Sequence, residues 1–294
     1  MTPAGEAVGA GEWLAGLPSE VRQWDSPLER AALSAIYAAV PAHAVAAGHQ
    51  AALRALLPGL GTDGVVAFCA SEEGGAHPRA IHTRLVARSS GDYRLQGSKR
   101  WATLAPSAAT LLVVASTGHE GDRNLLRVAQ VPAARPGIRI EPMPPAGFLP
   151  ELAHAVVTLD DVVVEPSELL PGDGYLDAVK PFRTIEDLHV AAALVAFTLG
   201  VGARCGWPQS ALERQLALLA AARDLAAAPH DAAGTHLALA GWLSQVQEAR
   251  REEAALWGRA DPWLAAAWQR DTAREVAAAA QERRRERAWE RLRG

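Results

Sequence analysis

A chain of 294 residues that is 49% hydrophobic can bury one large core or two to three smaller ones, and its composition is neither low-complexity nor disordered. A formal net charge of -4 offers no global basic surface to a phosphate backbone, which disfavours nucleic acid as the principal partner. Cys69 and Cys205 lie far apart with no Cys or His at metal-ligand spacing, which argues against a structural zinc and agrees with core thiols in a reducing cytoplasm.

The first residues, MTPAGEAVGAGEW, lack a basic segment followed by an apolar run, so no secretion signal is predicted. Residues 1–62 read as a short helical part. Leu28, Leu33, Ile36 and Val40 form one stripe, Leu53, Leu56, Leu57 and Leu60 another, with Pro41 and Pro58-Gly59 as punctuation. From residue 63 to 174 the texture changes to short runs of Val, Leu, Ile, Thr and Tyr between turn signals: VVAFCA, TRLVARS, YRLQGS, TLLVVAS, LLRVAQV, IRIEP and AHAVVTLDDVVV. This predicts an antiparallel β domain.

From residue 175 to 294 the helical period returns. Pro181, Pro208, Pro229 and Pro262 divide it into segments whose simplest packing is four antiparallel helices, with Asp261-Pro262 as an N-cap followed by proline at the first helical position. The run from Val190 to Ala203 is too short and too rich in Ala and Gly to span a membrane; it reads as a buried bundle helix. Helices, a β block, then helices make an α+β chain.

Polar chemistry concentrates in the β block. A strand ends in Ser71-Glu72-Glu73-Gly74-Gly75, and after a hairpin comes Gly97-x-Lys99-x-Trp101-x-Thr103. Strand ends on a rigid β scaffold can present amides, hydroxyls and a flat aromatic to one cleft; the same residues can also make a plain hairpin with a core Trp.

The set SEEGGAHP, GDYRLQGSKRWAT, LLVVAS, PGIRI and AHAVVTLDDVVVEPSELLPGDGY, in this order and spacing, resembles the central domain of the acyl-CoA dehydrogenase family. The family pattern runs T-E-P-x-x-G-S-D, G-x-K-x-W/F-I-T, p-G-i, f-x-d-V-x-V-P and l-l-G-x-x-G-x-G. The resemblance implies a short N-terminal helical part, a central antiparallel β-barrel, a C-terminal four-helix bundle, and FAD with its ring between barrel and bundle. It carries Thr103 onto the threonine near flavin N5, Trp101 onto the aromatic covering the ring, and Ser71 onto the hydroxyl at the pyrimidine edge. His77 stands where the family has a serine that helps hold phosphates, with Glu73 in place of the proline.

In one branch of the family the catalytic Glu sits in a segment like FRTIEDLHVAAALVAF, which places Glu186 as the base that removes the α-proton of an acyl thioester, on CoA or a carrier protein, while flavin N5 takes the β-hydride. A solvated acid in the first helical turn is the plain alternative. Asp187 stands where that branch has Arg. Glu186-x-x-His189 has the spacing of di-iron motifs but no second copy, so no metal is expected.

The family's R-x-x-F-G segment and the late C-terminal pattern have no counterpart, which predicts weakly held FAD. The Glu/Arg-interleaved tail from Glu282 to Arg293 reads as a solvated helix face, and Trp242, Trp257, Trp263 and Trp268 as core or subunit-interface anchors. Two functions stay open: an FAD-dependent α,β-dehydrogenase, or a non-catalytic paralogue partnering a longer homologue. Either predicts a cytoplasmic homodimer or hetero-oligomer without membrane or nucleic acid.

Overall fold

The computed structural model describes residues 7–22, 24–272 and 278–293. Two compact units result: a β unit of residues 9–15 and 61–182, and a helical unit of the described residues within segments 1–8, 16–60 and 183–294.

In the β unit, the helix α1 (Ala10–Ala15) is tied to the chain near residue 151 by the Ala10 N–H donating to Glu151 O at 2.9 Å. Seven strands fall on the seven β-branched runs: β1 (Val65–Cys69), β2 (Arg84–Ala87), β3 (Tyr93–Thr103), β4 (Ala108–Glu120), β5 (Arg123–Pro132), β6 (Ile138–Pro142) and β7 (His154–Val164). Their order is β1-β4-β2-β3-β7-β6, with β5 added to β4.

The expected antiparallel barrel is corrected on two counts. The sheet is mixed, because β1 runs parallel to β4, with Ala67 opposite Leu111 and Cys69 opposite Val113. It is also open. Closure requires the terminal strands to pair, whereas β6 ends the order with exposed Arg139 and Glu141 and with Pro142, which has no N–H to donate. The outer edge of β5 is occupied by a loop instead of a strand: Leu169 bridges Ala129, and the Leu170 N–H donates to Val128 O at 2.9 Å. The core runs along Leu95, Leu111, Val113, Val157, Leu159 and Val162, all fully buried.

The helical unit holds α2 (Ser19–Arg22), α3 (Pro27–Ile36), α4 (Pro41–Leu56) and most of α5 (Lys180–Arg204). It continues through α6 (Gln209–Ala227), α7 (Ala233–Glu252), α8 (Pro262–Thr272) and α9 (Ala278–Arg293). Proline opens α3 behind the Ser26 cap, which accepts from Glu29 N at 3.3 Å, and α8 behind Asp261, which accepts from Trp263 N at 2.8 Å. Where one last bundle helix is expected, the described residues show α8 and α9 on either side of residues 273–277.

Leu28, Leu188, Val195, Leu218, Leu239 and Trp242 form one core cluster of this unit. A second is aromatic: Trp257 stacks on Trp268 at 4.4 Å, and Phe197 lies against both. Trp242, Trp257 and Trp268 are therefore core residues and not interface anchors. Gly174–Arg204, a π-helical turn running into α5, is long and apolar enough to cross a membrane, but 67% of its apolar window is buried inside the protein.

Candidate functional site

Ser71 follows the end of β1, and its carbonyl accepts from Arg100 N at 2.8 Å, which ties the strand end to β3. A buried ion pair fixes the junction. Glu72 Oε1 accepts from Lys99 Nζ at 2.8 Å and from Thr83 N at 2.9 Å, and Oε2 accepts from His82 N at 2.9 Å. Burial disfavours the Glu72 carboxylate, but Lys99 and the two backbone donors outweigh it and hold the group below the ordinary carboxylate value. Burial in turn pulls the Lys99 ammonium down, against the opposing pull of Glu72.

Two residues further along β3 the ladder breaks. Lys99 lies opposite Val157 and Ala102 opposite Ala155, so Arg100 and Trp101 share the space of one residue. The bulge puts Trp101 at φ 60°, a left-handed conformation that costs a bulky side chain roughly 1–2 kcal/mol. It turns the indole outward. Trp101 is 51% exposed, edge-on to His154 at 5.9 Å, with the Arg100 guanidinium 6.0 Å from its centroid. Thr103 resumes the ladder opposite His154. Among the described residues, no hydrogen bond engages the Ser71 or Thr103 hydroxyl.

A half-exposed indole held out by a strained bulge, with one uncommitted hydroxyl on its own strand and another on the β1 end that is bonded to that strand, suits a flat heteroaromatic ring with a polar edge. The residues fit a flavin ring. His77, the residue expected near the phosphates, is exposed; its Nδ1 accepts from Arg79 N at 3.3 Å as the cap of a short 3₁₀ turn, which leaves Nε2 as the ring's donor, and its ring faces Tyr175 at 6.5 Å.

In the helical unit, Glu186 is not in a first turn. It lies inside the continuous helix that begins at Gly174, far from the positive end of the dipole. Its Oε1 lies 2.6 Å from His49 Nδ1 on α4. The two helices touch at backbone level here, because a Cβ on Gly48 would come within 2.6 Å of Val190 Cα. Asp187, the next residue, is paired with Arg284 of α9, which also donates to Thr184 Oγ1 at 3.2 Å. Burial pushes the Asp187 carboxyl up, and Arg284 opposes that. His189 is buried and donates its Nδ1–H to Ile185 O at 2.8 Å. Among the described residues no group of three or more His, Cys, Asp or Glu is placed to hold a metal.

Sequence reasoning missed His49 and the Glu72–Lys99 pair. A glycine inside an otherwise helical run, Gly48 beside His49, was the available signal of a close helix approach. The pairing of Glu72 with a lysine distant in sequence has no local signature.

Residues 67–162 match the family described as "Acyl-CoA dehydrogenase, middle domain". The chain is 30% identical over 145 residues to the probable short/branched chain specific acyl-CoA dehydrogenase of Dictyostelium discoideum, a match spanning 48% of this chain and 35% of that one. It therefore spans about a third of that curated relative's length. FMN-bound TdsC from Paenibacillus sp. A11-2 has a similar fold, with TM-score 0.66 at 17% identity over 92% of this chain and 86% of that one. So does butyryl-CoA dehydrogenase from Megasphaera elsdenii, with TM-score 0.64 at 15% identity over 95% and 89% of the two chains.

Proposed function

This chain belongs to the acyl-CoA dehydrogenase superfamily as a divergent member, and on that premise we propose that it is a flavin-dependent oxidoreductase acting on the Cα–Cβ bond of an acyl thioester. The observation that supports the reading best is Trp101, turned out of the sheet at a positive φ on the strand that carries Thr103. Such strain persists where a site uses it.

In this reading Trp101, Thr103 and Ser71 are the residues that would hold the ring of FAD, the indole by covering a face and the two hydroxyls by donating to or accepting from its polar edge. The cofactor, when bound, supplies the acceptor for the two electrons that leave with the β-hydrogen. Glu186 holds a carboxylate that takes the α-proton, leaving a 2-enoyl thioester. The thioester is carried by CoA or a carrier protein. A homodimer or a complex with a longer homologue completes the proposal.

Flavin titration tests the cofactor assignment. Quenching of FAD fluorescence by the wild-type chain, weaker with FMN and abolished in Trp101→Ala and Thr103→Ala, is the expected result. Equal quenching by those variants would move the site elsewhere, and none at high protein concentration would remove the flavin. Flavin bound without reduction by any acyl thioester would return the non-catalytic paralogue.

A further inference from the structure

We propose that His49 is a positioning residue for Glu186: its Nδ1–H fixes carboxylate oxygen Oε1 and leaves Oε2 as the oxygen that meets a proton. The inference rests on the reading of Glu186 as the base. The heavy-atom separation is 2.6 Å, just below the roughly 2.7–2.9 Å usual for a charge-assisted N–H···O bond.

Burial is asymmetric, and the asymmetry assigns the roles. The His49 side chain is 7% exposed and that of Glu186 is 36% exposed. In the Ser-His-Asp arrangement a buried acid orients the imidazole that exchanges protons. Here the order is inverted: the imidazole is the buried member, and the acid is the one open to its surroundings. The acid is therefore the reagent and the imidazole its support. Among the described residues Oε2 accepts no hydrogen bond, so the pair commits one oxygen and frees the other.

A glutamate on a helix flank carries three rotatable bonds, and fixing them costs up to about 2 kcal/mol of rotamer entropy. One bond to a side chain on a second rigid helix holds the rotamer before substrate arrives. The framework behind it is stiff, because Gly48 lets the α4 backbone touch α5 at His189 O and Val190. The neighbouring acid does not compete, since Asp187 is engaged by Arg284.

The test uses the full chain with two readouts. In the flavin-free protein with isotope-labelled histidine, the nitrogen spectrum should show His49 Nδ1 as a protonated, hydrogen-bonded nitrogen whose resonance moves in Glu186→Ala. An unprotonated Nδ1, or one indifferent to Glu186→Ala, overturns the inference without any reference to activity. In the flavin-loaded protein, His49→Asn keeps a donor near the Nδ1 position, whereas His49→Gln moves it to the Nε2 position. His49→Asn should stay within a few-fold of wild type in the rate of flavin reduction by an acyl thioester. His49→Gln should lose about 10²-fold, the cost of misplacing a reacting group by an ångström, with thioester affinity unchanged. Comparing these two polar variants at matched thermal midpoints removes folding as an explanation. Equal rates in both, beside an inactive Glu186→Gln, overturn the role of His49 alone. A fully active Glu186→Gln overturns the base reading and this inference with it.

Discussion

Lys99 Nζ lies 2.8 Å from Glu72 Oε1, with the lysine wholly buried on the same strand that carries Trp101 and Thr103. The ion pair and the Arg100–Ser71 backbone bond together fasten the end of β1 to the bulge of β3. The positions of Ser71, Trp101 and Thr103 are thus tied to chemistry inside the sheet. Lys99→Met strips Glu72 of its counter-charge while leaving its two backbone donors, and should destabilise the protein by about 3–5 kcal/mol in urea unfolding. The double variant Lys99→Met/Glu72→Gln should cost less than the sum of the single changes. Additive losses would show that the two groups do not interact.

Acid should unfold the chain in two stages. Burial holds His189 down at about 4 from the ordinary 6.5, against the upward pull of its bond to Ile185, and burial also lowers His43. The unfolded chain therefore takes these protons first, so stability is complete above pH 6.5 and falls as pH drops toward 4. For His189 that displacement is worth about 3 kcal/mol, at about 1.4 kcal/mol per pH unit. Glu72, held below 4.5, contributes above that value, and its share is lost as pH falls through its folded-state value. Unfolding free energies measured across this range should flatten between pH 6.5 and 4 in His189→Leu; an unchanged slope would remove His189 as the cause.

The seven strands were legible because each runs between turn residues with β-branched content. Their closure was not. Leu111 to Ala115 is a continuous apolar run buried on both faces, the mark of a strand with a parallel neighbour, and alternation alone could not reveal that β1 supplies it. Trp101 and Thr103 were legible from spacing, but the bulge that turns the indole outward depends on the register against β7. Glu186 was placed on a helix, yet its partner His49 is 137 residues away in sequence, and helix periodicity carries no information about such pairs. The Arg-rich tail read as a solvated face, whereas Arg284 turns inward to Asp187.

If Glu186 is the base, Glu186→Gln removes the proton acceptor and keeps the side chain's shape. Flavin reduction by an acyl thioester should slow by about 10²–10⁴-fold, the usual cost of losing a general base. The melting temperature should change little, because a Gln Oε1 still accepts from His49 Nδ1. Reduction at the wild-type rate in stopped-flow absorbance would disprove the assignment.

Trp101 pays for its position with backbone strain, and glycine does not. Trp101→Gly relieves roughly 1–2 kcal/mol of left-handed strain while losing a half-exposed ring that lies edge-on to His154. Thermal stability should hold or rise while FAD quenching disappears. A large loss of stability would mean that the indole is a structural residue.

Gly48 is where helix propensity and packing disagree. Alanine is about 1 kcal/mol better than glycine inside a helix, so on propensity alone Gly48→Ala should stabilise α4. Its Cβ, however, would lie 2.6 Å from Val190 Cα and 2.8 Å from His189 O. These are backbone atoms, which cannot rotate aside as a side chain would, so the helices must separate, at about 1–3 kcal/mol for overpacking. Packing wins, and a net loss of up to about 2 kcal/mol is expected in denaturant unfolding. Separation also lengthens the His49–Glu186 bond, because both residues sit within a turn of the contact. The His49 Nδ1 resonance should therefore move toward its position in Glu186→Ala. A stabilised Gly48→Ala with an unchanged resonance would show that α4 and α5 are not held this close.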